Sequence, residues 1–339
     1  MKKIVTIKTE VNYIELKTPF ITALRRVENI EFVRVFVECS DGAVGIGEAP
    51  ATFVITGEDI PIILHSIEDM KEKLIGLSLD DALITLHQAC IGSSAKASLD
   101  MAILSLKGFF ELQEYAPIKT DITISLNSIS KMLSDAKEAL HNGMDILKVK
   151  LGADISHAIE ITKLLAKELP QVKLLIDANQ AWSLEDSLVY VRAVEDIEIE
   201  LIEQPVVAKD LKALKTISKA TKTPILADEA VFTLSDAKKV VESASADMIN
   251  IKLMKCGGVS RAIEILEYAR KMNITCMLGS MLEGPYSINA ALYLAFNYRD
   301  VIKYVDLDSP LLYKDLPKEL DFCFKGNKIS YSLSSCNIL

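Results

Sequence analysis

Three carboxylates, Asp177, Glu203 and Asp228, each close a short apolar run: Lys173–Asp177, Leu201–Glu203 and Ile225–Asp228. They are spaced by 26 and then 25 residues. Acidic groups at one phase of successive repeats converge if the runs lie side by side. Like charges a few ångströms apart repel and raise each other's pKa, and a divalent cation relieves that repulsion. Oxygen-only donors, with no histidine or cysteine beside them, favour Mg2+ over zinc. Lys148 and Lys150 lie two apart on the run Ile146–Leu151, so both side chains point to one face of a strand. Lys252 interrupts the apolar run Met248–Met254. Two ammonium groups that close disfavour each other, which is expected to lower a lysine pKa toward the range of a general base. Together these residue types could remove a proton from carbon and return one from the other side.

The residues need a frame that brings them together. Eight β-rich runs begin at Ile122, Ile146, Lys173, Leu201, Ile225, Met248, Thr275 and Val301, at intervals of 23 to 28 residues, each of the first seven followed by a helical stretch. A strand, a helix and two short loops take about that many residues. Eight such repeats predict a (β/α)8 barrel, whose chemistry sits at the C-terminal strand ends. A doubly wound sheet would want a Gly-rich phosphate loop after its first strand, and there is none. In a ring of eight, strands two and six are opposed, so Lys150 and Lys252 flank whatever lies over strands three to five. After Asp306-Leu307-Asp308 comes Ser309-Pro310-Leu311 rather than a clear helix. Before the barrel, Glu31–Glu38 and Val44–Glu48 flank the turn Ser40-Asp41-Gly42 and predict a hairpin. Residues 58–114 are helical in pattern, with Leu99, Ala102, Ile103 and Leu106 on one face. Strands followed by helices predict an α+β domain. Residues 311–339 include a strand-like piece, Lys328–Leu333, expected to return onto the N-terminal domain.

The chain has 339 residues, 47 acidic against 38 basic, for a net charge of −9. That field repels phosphate backbones, which argues against a nucleic-acid partner. No run approaches the roughly 18 apolar residues of a membrane span, and residues 1–8 are too interrupted for a signal peptide, so a cytoplasmic location is expected. The six cysteines form no Cys-x-x-Cys pair and are expected as free thiols. The four histidines have no metal-ligand spacing, which leaves acid–base work to lysines and carboxylates.

Lys148-x-Lys150, Asp177-Ala-Asn-Gln-Ala-Trp182, Glu203-Gln-Pro205, Ala227-Asp-Glu229 and Asn250-Ile-Lys252, in this order and spacing, resemble the enolase superfamily, muconate-lactonising subgroup. The resemblance covers essentially the whole chain. It implies an α/β fold, a modified TIM barrel (β/α)7β with an N-terminal α+β capping domain. The corresponding divisions are 1–116 for the cap, 117–310 for the barrel and 311–339 for a C-terminal return packing on the cap. It further implies Mg2+ on Asp177, Glu203 and Asp228, Lys150 and Lys252 as the acid and base acting through an enediolate, and Lys148 supporting Lys150 and the substrate carboxylate.

Two further features resemble dipeptide epimerases, those acting on L-Ala-D/L-Glu above all. Asp306-Leu307-Asp308 matches the family's pair that holds the dipeptide's amino terminus. Alternate residues on one strand face can place two carboxylates around one ammonium. Thr18–Arg25 and Ile55–Glu58 match loops that close over the substrate, and Arg25 matches the arginine that pairs with the glutamate side chain. The neighbouring Arg26 leaves the choice between the two arginines open. By the same resemblance Thr123, Ser280 and Leu282 contact the dipeptide, the last two through backbone groups in some cases. Glu283 fits a proton network around Lys252. The family implies recycling of cell-wall peptides and allows a homo-oligomer, although no patch in the sequence is diagnostic of one. On the same frame, o-succinylbenzoate synthesis or muconate-type cycloisomerisation is the alternative, and a barrel that binds without turnover is another. Neither explains Asp306 and Asp308 together with both lysines.

Overall fold

In a computed structural model, which describes residues 2–111 and 116–331, the N-terminal alternation forms a three-stranded antiparallel meander. Its strands are β1 (Ile4–Ile21), β2 (Arg26–Cys39) and β3 (Val44–Pro50). Val33, Val35, Val37 and Cys39 alternate inward along β2 and are buried. They pack with Ile63, Ile67, Met70, Leu99, Ala102 and Ile103 from the helices Ile60–Leu74 and Ser93–Leu106. β3 carries glycine at 45 and 47 because the second helix lies directly on its backbone: a Cβ on Gly47 would sit 1.9 Å from the Ser98 carbonyl oxygen. The β1–β2 hairpin narrows to a tip at Thr22–Arg25, where Thr22 Oγ1 accepts the N–H groups of Leu24 and Arg25. Strand pairing therefore runs further into the first of the expected loops than the sequence indicated.

The short β4 (Ile118–Lys119) leads into the barrel strands β5 (Ile122–Ile124), β6 (Ile146–Lys150), β7 (Lys173–Asp177), β8 (Leu201–Glu203), β9 (Ile225–Ala227), β10 (Met248–Lys252), β11 (Thr275–Gly279) and β12 (Ile302–Asp306). They form one eight-stranded sheet in sequence order, and every pairing within it is parallel. The Asp121 N–H donates to the Val305 carbonyl at 3.2 Å, and the Leu307 N–H to Thr120 Oγ1 at 3.1 Å, which closes the ring between its first and last strands. Leu175, Leu201, Leu226, Met248 and Met277 fill the barrel with one apolar layer. Full helices follow the first seven barrel strands, and β12 is followed only by the single turn Ser309–Leu312. The architecture is a modified TIM barrel capped by an α+β domain.

The chain after the barrel divides its contacts. The Lys314 N–H donates to the Glu15 carbonyl at 2.8 Å, and Tyr313 is buried with Leu16, Ile30 and Phe32 of the cap. The hairpin β13 (Cys323–Lys325) and β14 (Lys328–Ser330) instead pairs with β4. That part of the return lies against the start of the barrel and not on the cap. The end of the expected strand, Ser332-Leu333, lies outside the described residues. Cys39, Cys90, Cys256 and Cys276 are free thiols, but Cys323 is disulfide-bonded, against the expectation for all six. Among the described residues no helix is long and apolar enough to cross a membrane.

Candidate active site

Parallel pairing sets the register of the charged strand ends. Lys150 lies opposite Asp177, and Asp177 opposite Glu203. Two of the strand ends leave through left-handed backbone, with φ of 44° at Asn179 and 37° at Gln204. That region is sparsely used by side chains other than glycine, and such positions concentrate at functional sites. Here each turn has a task. The Asn179 N–H returns to Asp177 Oδ1 at 2.9 Å, and Gln204 Oε1 accepts the N–H groups of Asp228 and Ala230 at 2.9 and 3.1 Å.

The lysines are buried among the carboxylates. Lys148 Nζ lies 2.5 Å from Asp306 Oδ2, 2.7 Å from Glu203 Oε2 and 3.4 Å from Asp177 Oδ2. Lys150 Nζ is 2.6 Å from Asp177 Oδ2, and Lys252 Nζ is 2.7 Å from Asp228 Oδ2. For Lys148 this corrects the expectation that repulsion within the Lys148–Lys150 pair lowers a lysine pKa. Burial does press on Lys148 and Lys252, but the surrounding carboxylates, Asp306 foremost for the first and Asp228 for the second, outweigh it and raise both. Burial likewise opposes ionisation of Asp228 and Asp177, yet the lysines hold both carboxyls low. Glu203 goes the other way: burial and the neighbouring Asp177 push it up to about 7.

A cavity of about 60 Å³ lies over these groups, lined by Lys150 and Lys252 from opposed strands, by Thr123, Asp306 and Asp308, by Ser280 and Leu282, and by Arg25 of the cap. The cap is seated on it. The Ile21 N–H donates to Ser125 Oγ at 3.2 Å, the Leu126 N–H donates to the Ile21 carbonyl at 3.0 Å, and the Phe20 ring lies 6.0 Å from Lys150 Nζ. The second loop is anchored by buried Glu58, which accepts the N–H groups of Ser94 and Ala95 at the start of their helix. The two arginines at the hairpin tip separate clearly. Arg26 is exposed and pairs with Glu28 at 3.0 Å. Arg25 faces the cavity, has no ion pair among the described residues, and burial lowers its pKa to about 10.

Further buried polar residues surround the site, and of these the sequence reading passed over Lys255. Lys255 is buried and donates to Asp228 Oδ1 at 2.5 Å and to the Asn250 carbonyl at 2.9 Å. Its position three residues after Lys252, on one helical turn, was the available clue. Asn250 donates to Glu203 Oε1 at 2.8 Å. Glu229 is buried beside Asp228, and burial together with that neighbour pushes it to about 8. Glu283 does not reach Lys252 by a hydrogen bond; it accepts from the Met281 N–H and from Ser287 Oγ.

Asp177, Glu203 and Asp228 have the chemistry of a hard-cation site. All three are buried, all offer oxygen, and the acceptors Asn179 Oδ1, Asn250 Oδ1 and Glu229 Oε2 around them have no donor. A surplus of buried acceptors over donors is costly unless a cation joins them. The only three acidic groups whose oxygens lie within 4.8 Å of one another, among the described residues, are different ones: Asp121, Asp306 and Asp308.

Comparison with known proteins agrees with this geometry. Residues 4–111 match the mandelate racemase/muconate lactonizing enzyme N-terminal domain, and residues 131–326 the enolase C-terminal domain-like family. An L-amino acid-D/L-Glu epimerase of Sulfurimonas denitrificans is 60% identical, aligned over 96% of this chain and 99% of the relative. A substrate-liganded L-Ala-D/L-Glu epimerase from Bacillus subtilis superposes with a TM-score of 0.90 at 38% identity, covering 97% of this chain and 96% of that one. A dipeptide epimerase from Enterococcus faecalis, complexed with Mg and L-Leu-L-Tyr, gives 0.90 at 32% identity over 97% of both chains.

Proposed function

The chain belongs to the mandelate racemase/muconate lactonizing enzyme family of the enolase superfamily, and on that premise we propose that it is a dipeptide epimerase, an isomerase that inverts the α-carbon of the C-terminal residue of L-Ala-D/L-Glu. The observation that carries the reading is the pair Lys150 and Lys252, on strands four apart in a ring of eight, lining one cavity from opposite sides. A two-base 1,1-proton transfer needs that arrangement: one amine takes the α-proton from one face and the other returns a proton to the opposite face. Asp177, Glu203 and Asp228 would hold Mg2+, which supplies positive charge to the substrate carboxylate as its α-carbon loses a proton. Lys148, set among those carboxylates, adds a fixed positive charge. Arg25 receives the glutamate side chain as a charge-assisted pair. Asp306 and Asp308 hold the dipeptide's ammonium group, and Thr123, Ser280 and Leu282 complete the wall. A substrate without an ammonium group, as in o-succinylbenzoate synthesis, leaves both aspartates without a task. The chemistry calls for a small molecule and a cation, in the cytoplasm, with neither nucleic acid nor membrane.

The test is isotopic. With Mg2+ and L-Ala-L-Glu in D2O, deuterium enters the glutamate α-position as the D-epimer accumulates. Lys150→Ala and Lys252→Ala each abolish epimerisation. Activity retained in either variant refutes the two-base assignment, and failure of a panel of dipeptides to exchange refutes the substrate class.

A further inference from the structure

The acidic group beneath the ammonium site contains a residue that the reaction as described does not use. Asp121 precedes β5 and is 1% exposed, and neither of its carboxylate oxygens has a hydrogen-bond donor. Its close neighbours are the oxygens of Asp306 and Asp308, within 4.8 Å. The local donors are already committed. Lys148 Nζ is on Asp306 Oδ2, and the Thr123 N–H is on Asp308 Oδ2 at 2.7 Å. A cavity of about 420 Å³ reaches Asp121 from the side of β4, but its cations have other partners: Lys119 and Lys173 pair with Asp145 and Glu200 at 2.6 and 2.7 Å, Lys303 Nζ donates to the Arg299 carbonyl at 2.9 Å, and Arg299 donates to the Ala116 carbonyl. An ionised carboxylate buried beside two others with no donor is strongly unfavourable. A proton removes the charge and turns an acceptor into the donor that the cluster lacks.

We propose that Asp121 is a positioning residue that carries a proton and donates it as a hydrogen bond to the Asp306 carboxylate, fixing the Asp306–Asp308 pair for the dipeptide's ammonium group. Burial, and then the charge of Asp306, push the Asp121 carboxyl well above its usual range, in the same direction as the geometry. The arrangement resembles carboxylic acids kept neutral in apolar sites so that they can donate. The positioning role rests on the epimerase reading above; the proton does not.

Two variants of the full-length Mg2+-loaded enzyme test it. Asp121→Leu keeps the branched shape, with two somewhat larger methyl groups in place of the oxygens, and removes the donor. Its KM for L-Ala-L-Glu is expected to rise about tenfold or more, while kcat falls less. Asp121→Asn keeps an N–H donor toward Asp306 and is expected to recover most of that loss, with KM within about threefold of the parent. If Asn raises KM as much as Leu does, Asp121 acts as an anion and the proposal is wrong. Infrared difference spectra at neutral pH supply a readout independent of turnover: the parent minus Asp121→Asn should show the carbonyl band of a protonated carboxylic acid. Its absence overturns the proposal, whereas its presence in a protein inactive on dipeptides leaves the proton in place and refutes only the substrate reading. Metal content closes the test. An equal number of bound divalent cations in parent and Asp121→Asn is expected; one fewer in the variant means that the three aspartates hold a cation and not a proton.

Discussion

Replacing Arg25 with methionine separates specificity from stability. In the free protein the Arg25 guanidinium is half-buried, faces the cavity and has no ion pair among the described residues. Burial alone lowers its pKa, to about 10. A cation whose pKa falls on folding is held at a cost, so its removal takes nothing from the folded state and relieves some desolvation. With the proposed substrate bound, the same group would meet a carboxylate. Truncating one member of a buried, hydrogen-bonded charge pair costs about 2–5 kcal/mol. Arg25 is only half-buried, so the lower part of that range applies, about 2–3 kcal/mol, or roughly 30- to 150-fold in kcat/KM. Arg25→Met is therefore expected to lower kcat/KM for L-Ala-L-Glu by that factor, to spare a dipeptide ending in leucine, and to leave the Tm unchanged or slightly raised. Arg26→Met, which removes an exposed pair with Glu28, should alter neither activity by more than about twofold, as surface pairs contribute little. Steady-state kinetics on the two dipeptides and thermal melts of the three proteins decide it. Equal losses on both substrates, or a Tm several degrees lower, would refute the assignment of Arg25 to the substrate side chain.

Chelation of divalent cations should abolish epimerisation and Mg2+ restore it, while circular dichroism shows the fold intact, because lysines already neutralise Asp177 and Asp228; the stability lost is that of binding alone, about 2.7 kcal/mol of unfolding free energy at a hundredfold excess over Kd. Gly47→Ala places a Cβ against the Ser98 backbone and should cost about 3 kcal/mol by urea unfolding, the upper end for overpacking. Glu48 is buried against Arg34 and the start of the helix Pro285–Asn297, and burial raises it from 4.5 to about 7. The folded state then holds a proton that the unfolded chain has released, so stability falls as pH rises from about 4.5 to 7, and Glu48→Gln should make that slope shallower in unfolding free energies measured across the window.

The sequence alone determined the frame. Strand phase in a βα repeat is a local property, written in apolar runs of five or so residues at near-constant intervals, and each of the eight runs forms a strand. That phase also put Lys148 and Lys150 on one face and lined up the carboxylates at neighbouring strand ends, because parallel register carries residue order directly into spatial order. The expected eighth strand was early by a residue, since Val301 precedes it and Asp306 belongs to it. Tertiary structure decided what the charges do. Whether a lysine is raised or lowered depends on partners 24 to 158 residues away, such as Asp228 for Lys252 and Asp306 for Lys148, and these meet only when the ring closes. Which of Arg25 and Arg26 faces the cavity depended on the hairpin tip being seated on Ser125 and Leu126. The isolation of Asp121 was invisible for the same reason: the groups beside it come from the other end of the barrel, and a missing donor can be seen only after every nearby donor has been placed.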